Sequence, residues 1–268
     1  MDTVSVVIPT WNRSKFLVRA IRSALGQSHQ PLEILVCDDG SSDDSEHAVA
    51  SIGDSRVQWV GGKRGGRPAV PRNRGIARSR GTWIAFLDDD DQWAPEKLSR
   101  QFAALSEAET GACCSAALKM TTSGVDGSYQ LGWDQGTVRF DDLLIGNRVI
   151  CSSALVRKDL IEKAGGFPEA PVLASIEDYA LWLRIAAFTG FAFSPDPLVL
   201  YNDAPSSGIR VRSPSPLTSM RLVFGDFIRW GVRRGVPPRF IAAAVRRYAG
   251  CVAHSARRVV VAASRSNA

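Results

Sequence analysis

Four consecutive aspartates, Asp88, Asp89, Asp90 and Asp91, follow the apolar run Trp83 to Leu87. Carboxylates crowded at one point repel one another unless a cation or a helix N-terminus offsets them. Hard divalent ions such as Mg2+ and Mn2+ take carboxylate oxygens together with phosphate oxygens, so an Asp-x-Asp at a strand end suits a metal–diphosphate pair. A solvated turn capping the next helix accounts for the same run. Asp38 and Asp39, before Gly40, Ser41 and Ser42, form a second acidic end that can accept from ribose hydroxyls or a base N–H; read alone, it is a turn with an N-cap. Arg72, Asn73 and Arg74 follow the Gly- and Arg-rich stretch from Gly61 to Pro71, where guanidinium groups can meet a base or a diphosphate, or simply form a solvated basic loop. Glu177 and Asp178 open an apolar helix containing Leu181, Trp182 and Ile185. Acids in a first turn suit the helix dipole, and a carboxylate carried there into a cleft is placed as a general base would be.

These groups need elements to position them. Val4 to Pro9 reads as a strand, with Asn12 or Ser14 capping a helix that carries Phe16, Leu17, Ala20, Ile21, Ala24 and Leu25 at helical spacing. Leu32 to Cys37, Val57 to Val60 and Trp83 to Leu87 read as further strands, with a helix from Ser42 or Asp43 to Ile52 and a short one near Asn73 to Ser79. Such alternation implies a doubly wound, mostly parallel sheet, whose ligands sit outside the carboxyl ends of the strands. Pro9 and Thr10, Asp38 and Asp39, and the four aspartates all fall at those ends and make one composite cleft. Beyond a helix from Pro95 to Leu105, strands of mixed direction are expected over Ala112 to Thr121, Val149 to Val156 and Phe191 to Leu200, with a helix over Ile176 to Phe188. Ala204 to Pro216, rich in Ser, Pro and Gly, reads as a hinge to a tail.

The chain of 268 residues, 45% hydrophobic and 22% charged, can bury a sizeable core. Its five cysteines lack CxxC spacing, and His29, His47 and His254 show no ligand spacing. No Gly-x-Ser-x-Gly elbow, Walker loop or Gly-x-Gly-x-x-Gly fingerprint occurs, which argues against a serine hydrolase, a P-loop NTPase and a dinucleotide oxidoreductase. The net charge of +6 is uneven, since residues 210–268 hold 12 arginines against Asp226 alone and the remainder is mildly acidic. Nucleic acid is therefore not an expected partner. With neither a signal peptide nor a spanning segment, the expected address is cytoplasmic.

The ordered motifs Val4-Ser5-Val6-Val7-Ile8-Pro9-Thr10-Trp11-Asn12-Arg13, Cys37-Asp38-Asp39-Gly40-Ser41-Ser42-Asp43, Arg72-Asn73-Arg74-Gly75-Ile76 and Phe86-Leu87-Asp88-Asp89-Asp90-Asp91 resemble those of family 2 glycosyltransferases of the GT-A fold. Gly165-Gly166-Phe167-Pro168 and Glu177-Asp178-Tyr179-Ala180-Leu181-Trp182-Leu183-Arg184 are similar to the family's acceptor-side motifs. The likeness covers about residues 3 to 203. It implies an α/β GT-A domain, Rossmann-like with a doubly wound mixed sheet: a nucleotide-sugar-binding half over residues 1–110, an acceptor half over 111–209, and a basic helical extension over 210–268.

The resemblance further implies an inverting, hexosyltransferase-like enzyme with a nucleotide-sugar donor, Mn2+ or Mg2+ as cofactor, and a glycan, lipid-linked or small-molecule acceptor, in polysaccharide or glycoconjugate synthesis. Pro9 and Thr10 would line the base pocket, Asp39 would contact the base, and Arg72 would flank the nucleotide. Asp88, with Asp89, would lie near the ribose, Asp90 would bind the metal, and Asp178 would deprotonate the acceptor hydroxyl. Glu177, Trp182, Asp91 and Asp203 take acceptor-side or supporting places. Many relatives carry a Tyr-Arg-x-His type segment where this chain has Tyr201-Asn202-Asp203-Ala204, so either Asp203 substitutes for the histidine contact to phosphate or metal, or no residue does. Asp39 facing a pyrimidine favours UDP- or dTDP-sugars, with GDP-sugars open. A sugar-1-phosphate nucleotidyltransferase would need a Gly-rich N-terminal triphosphate loop, absent between Ile8 and Arg22, and a silent binding module would lack Asp178 or the Asp88/Asp90 pair. In the tail, Phe240, Ile241, Ala244, Val245, Tyr248 and Val252 recur at helical spacing. The stripe suits packing on the body or in a homodimer, and the surrounding arginines suit the inner membrane face.

Overall fold

The computed structural model describes residues 2–121, 124–129, 136–202 and 214–266. Val4–Thr10 (β1), Glu33–Asp38 (β2), Val57–Val60 (β3) and Trp83–Phe86 (β4) pair in parallel in the order β3-β2-β1-β4. The side chains of β1, β2 and β4 are buried on both faces, as a parallel sheet between helices requires, whereas β3 at the edge buries only Val60 fully. Val7, Leu35, Ile84 and Phe86 point into one core, and Val6, Ile8, Ile34, Val36 and Ala85 into the other. The second core is covered by Ser14–Leu25 (α1), Ser45–Ala50 (α2) and, further along the chain, Lys97–Ala108.

Past β4 the sheet becomes mixed. Gln92–Trp93 (β5) follows the acidic turn, and then Lys97–Ala108 forms a helix of its own. Ala112–Thr121 (β6) pairs antiparallel with Gly124–Tyr129 (β7) and in parallel with the long strand Phe191–Asn202. Thr137–Val138 (β8) and β5 both pair antiparallel with that long strand. Leu155–Arg157 (β9) lies antiparallel between β4 and β6 and joins the two halves; the strand Phe191–Asn202 is β10. The helices are, in order, α3 (Ala69–Arg78), α4 (Lys97–Ala108), α5 (Phe140–Leu143), α6 (Lys158–Ala164), α7 (Glu177–Ala186), α8 (Pro216–Arg234) and α9 (Pro238–Ser266).

Three expectations are corrected. The strand expected over Val149 to Val156 is a 3-10 turn at Cys151–Ser153 followed by β9. The Ser153 hydroxyl donates to the Ile150 carbonyl at 2.8 Å, the local competition by which serine withdraws backbone from a ladder. The helix expected near Asn73 begins at Ala69, with Pro71 in its first turn where a missing N–H costs nothing, so Arg72 belongs to a helix and not to a loop. Neither Asn12 nor Ser14 caps α1. Asn12 has a positive φ of 54° and its Oδ1 accepts from the Ser42 N–H at 2.7 Å, while the Ser14 N–H donates to Asp43 at 3.3 Å. The hinge expected over Ala204 to Pro216 lies largely outside the described residues.

The tail stripe packs in part: Val245 and Val252, expected on it, are exposed, and the buried line runs through other positions. Ala244 is fully buried and Cys251 nearly so, with Phe240 and Tyr248 against the same core and Phe240 edge-on to Phe140 at 4.8 Å. Asp226, the tail's single carboxylate, receives Arg184 of α7 through Nη2 at 2.7 Å and Nε at 3.1 Å, which docks α8 on α7. No helix among the described residues is long and apolar enough to cross a membrane.

Candidate active site

The carboxyl ends of β1, β2 and β4 meet as their positions demanded. The Asp39 N–H donates to the Thr10 carbonyl at 2.9 Å, and the Thr10 hydroxyl donates to Asp89 at 2.8 Å. Pro9 is buried at the end of β1, in register with Cys37. Asp39 is buried, and its two oxygens accept from the N–H groups of Gly65 (2.6 Å) and Gly66 (2.8 Å). Gly66 has φ +71°, a conformation that suits glycine. Asp39 thus organises the Gly-rich loop. At the lip, the Arg64 guanidinium lies 3.4 Å from the ring centre of exposed Trp11, a pair that sequence reading passed over.

The four aspartates divide into distinct roles. Asp88 and Asp90 remain partly open to solvent, whereas Asp89 and Asp91 are buried. Arg13 Nη1 contacts Asp90 at 2.8 Å and Asp89 at 3.2 Å. Burial first, and then the charge of Asp90, push the Asp89 carboxyl up to about 7 against the pull of Arg13. Asp90 is raised in the same way, by burial and by Asp88. Asp91 is inward: Oδ1 accepts from the Asn202 N–H at 2.8 Å and Oδ2 from the Ser152 hydroxyl, which itself accepts from the Asp88 N–H at 3.0 Å. Its place is to tie the acidic turn to β10 and to the 3-10 turn.

Arg72 departs from the expectation of a guanidinium facing the nucleotide. It is 4% exposed and bridges Asp88 (2.5 Å) and Glu177 (2.8 Å), with Phe167 5.2 Å from its charge. Glu177 is buried too and so does not face an acceptor. Trp182 is fully buried among Phe86, Phe167 and Phe191; it is core beneath the site and lines no acceptor surface. Asp203 lies outside the described residues.

Asp178 stands apart from this pairing. It is half-buried at the start of α7, its Oδ2 3.4 Å from Asn147 Nδ2, and it lines a cleft of about 330 Å3 with Ile145, Ser175, Tyr179, Ser219 and Met220 among its walls. Burial first and then Glu177 push its carboxyl up to about 7. Among the residues lining that cleft it is the single carboxylate.

Among the described residues no three His, Cys, Asp or Glu side chains are arranged to hold a metal unaided. The donor set nonetheless fits a hard ion that arrives with phosphate: Asp88 and Asp90 are partly solvent-open oxygen donors, and their crowded charge is only partly offset by Arg13 and Arg72. Arg13, Ser152 and Asn147 were missed by sequence reading because their partners lie 77, 61 and 31 residues away.

The model of Glycosyl transferase family 2 matches residues 5–164. The chain belongs to that family. An uncharacterized glycosyltransferase of Rickettsia conorii is 42% identical over 105 residues, 39% of this chain, which spans only 17% of that relative. The UDP-Glc:alpha-D-GlcNAc-diphosphoundecaprenol beta-1,3-glucosyltransferase WfaP of Escherichia coli is 28% identical over 185 residues, covering 69% of this chain and 70% of WfaP. Among solved structures, Staphylococcus aureus TarS 1-349 in complex with UDP-GlcNAc superposes with a TM-score of 0.70 at 19% identity, over 92% of this chain and 72% of the other. The mannosyltransferase PcManGT of Pyrobaculum calidifontis, in complex with GDP-Man and Mn2+, gives 0.58 at 18% identity over 99% and 80%. The fold is GT-A, as its motifs implied.

Proposed function

We propose that this family 2 glycosyltransferase moves a sugar from a nucleotide-sugar, UDP- or dTDP-linked by preference, to a hydroxyl of a lipid-linked glycan, inverting the anomeric carbon. The observation that carries the reading is Asp178: one carboxylate in a 330 Å3 cleft, raised to about 7, and joined to the donor end through Glu177, Arg72 and Asp88. A single base on one face suffices for inversion, whereas a retaining hydrolase would need a second carboxyl group positioned as nucleophile. The donor would lie against the ends of β1, β2 and β4, with Pro9, Thr10 and the Asp39-held loop around the base and Asp88 and Asp89 toward the ribose. Asp90 would ligate Mn2+ or Mg2+, which when bound supplies Lewis-acid stabilisation of the leaving diphosphate. WfaP supports a diphosphate-linked lipid acceptor and glycan synthesis, and the PcManGT complex supports Mn2+.

The test is a thermal-shift panel of UDP, dTDP and GDP with Mn2+ or with chelator, since a ligand of the native state raises its melting point. UDP with Mn2+ is expected to stabilise the protein, and Asp90→Ala to abolish the metal-dependent part while the variant still folds, the lost Arg13 pair shifting its ligand-free melting point by only a few degrees. UDP binding by Asp90→Ala with undiminished Mn2+ dependence overturns the metal assignment.

A further inference from the structure

A second hollow, of about 260 Å3, adjoins the base cleft. Leu217, Met220, Arg246, Arg247, Gly250 and Cys251 line it, and Met220 is a wall of both. The two are also joined by the backbone beside α5. The Tyr179 hydroxyl, one residue from Asp178, donates to the Leu143 carbonyl, and Arg247 Nε donates to the neighbouring Leu144 carbonyl at 2.9 Å. Arg247 is thereby fixed through one nitrogen beside the end of α7 that carries Asp178, and the residue as a whole is exposed.

Among the described residues no ion pair offsets the charge of this hollow: neither Arg246 nor Arg247 pairs with a carboxylate, and both are exposed. The one acid of the tail, Asp226, is committed to Arg184. Gly250 adds no side chain, and a Cβ placed there would meet nothing within 4 Å, so the mouth is open. Two adjacent guanidinium groups are a recognised chemistry for phosphoryl oxygens, and Leu217, Met220 and Cys251 supply apolar wall beside them. The arrangement suits a ligand that is anionic at one point and aliphatic next to it.

We propose that Arg246 and Arg247 form the subsite for the diphosphate of the acceptor. A molecule built as sugar, diphosphate and lipid then lies with its hydroxyl toward Asp178, its diphosphate past Met220 on the two arginines, and the first carbons of its lipid along Leu217 and Cys251. This inference rests on the transferase reading of Asp178. It assigns α9, which lies beyond the family match at residues 5–164, a part in selecting the acceptor.

The experiment uses the full chain with its donor site saturated by UDP and Mn2+, and decyl diphosphate as probe. Inorganic diphosphate and decyl maltoside serve as the phosphate-only and lipid-only arms. Wild type is expected to bind decyl diphosphate at least tenfold more tightly than either control, and Arg246→Gln/Arg247→Gln to lose at least tenfold of that affinity with UDP binding unchanged. Because Arg247 also anchors to Leu144, Arg246→Gln alone, which breaks no backbone contact, is expected to lose at least threefold. Equal affinity for wild type and both variants, no binding by wild type, or inorganic diphosphate binding as well as the lipid form each overturns the subsite. Failure of UDP to bind wild type at all sinks the transferase reading instead, so the two failures are told apart.

Discussion

Half-burial and the neighbouring Glu177 raise the proton affinity of Asp178 above that of a surface aspartate, which suits the base role proposed for it. A base acts when deprotonated, so kcat/KM for transfer is expected to rise through an acid limb centred near pH 7 and level off above it. In Asp178→Asn that limb disappears along with about 10²- to 10⁴-fold of the rate, while UDP affinity is retained; parental transfer by the variant would mean the base is elsewhere. Lys97 makes a contrasting prediction. It is fully buried, donating to Gln101 at 2.6 Å with the Trp93 ring 4.2 Å away, and burial pushes its amine down from 10.5 to about 7. Between those values the unfolded chain binds more protons than the folded one, so stability rises with pH across that window. The cost is complete below about pH 7 and gone above 10.5. Lys97→Met is therefore expected to be the more stable form by about 1–3 kcal/mol at pH 6.5, with the difference in melting point shrinking toward pH 10. A difference that stays constant with pH would show that Lys97 is not the titrating group.

Helix α3 shows how an element sets a residue. Gly75 lets it lie flat on the sheet, since a Cβ at that position would sit 2.5 Å from Cys37 Sγ and 2.8 Å from Val7 Cγ1. That close approach carries Arg72 into the interior. Gly75→Ala must push the helix outward and is expected to cost about 1–3 kcal/mol by overpacking, measured by urea unfolding, and to loosen the Arg72 bridge, read as weaker UDP binding. Unchanged stability would mean that the helix has room to spare. The strands were legible in the sequence because buried parallel strands read as unbroken apolar runs ending in polar residues, which is how Asp38, Asp39 and Asp88 to Asp91 announced a cleft. Residues 149–156 misled because they are apolar at both ends, and only the fold reveals that Ser152 and Ser153 use their hydroxyls to break the run. The burial of Arg72 was not legible at all, because Glu177 is 105 residues away and no local pattern distinguishes a guanidinium in a loop from one inside a helix-sheet seam.

At the scale of the molecule, acidic and basic charge sit on different elements. The acidic cleft lies at the strand ends, while Arg229, Arg233, Arg234, Arg239, Arg246 and Arg247 are exposed on α8 and α9. At about 1 kcal/mol per arginine near an anionic surface, this face would hold the protein on anionic vesicles without a spanning helix. Co-sedimentation with anionic vesicles is expected at low salt, to fall at high salt, to be absent with neutral lipid, and to weaken in a variant with Arg229, Arg233, Arg234 and Arg239 changed to Gln. Indifference to lipid charge would remove the membrane-holding role from α8 and α9. The acidic turn carries a different consequence, one of timing. Asp91 is fastened to Ser152 and to Asn202, the latter 111 residues further along the chain, and β5 has its strand partner in β10. As a ribosome adds roughly 5–20 residues per second, β1 to β4 emerge about 3–13 s before Ser152 and about 6–23 s before Asn202. In that interval the four carboxylates hang from a half-built sheet. Nucleotide affinity should therefore arrive in a nascent chain as a late step, when β10 clears the exit tunnel, and not gradually as the first hundred residues fold.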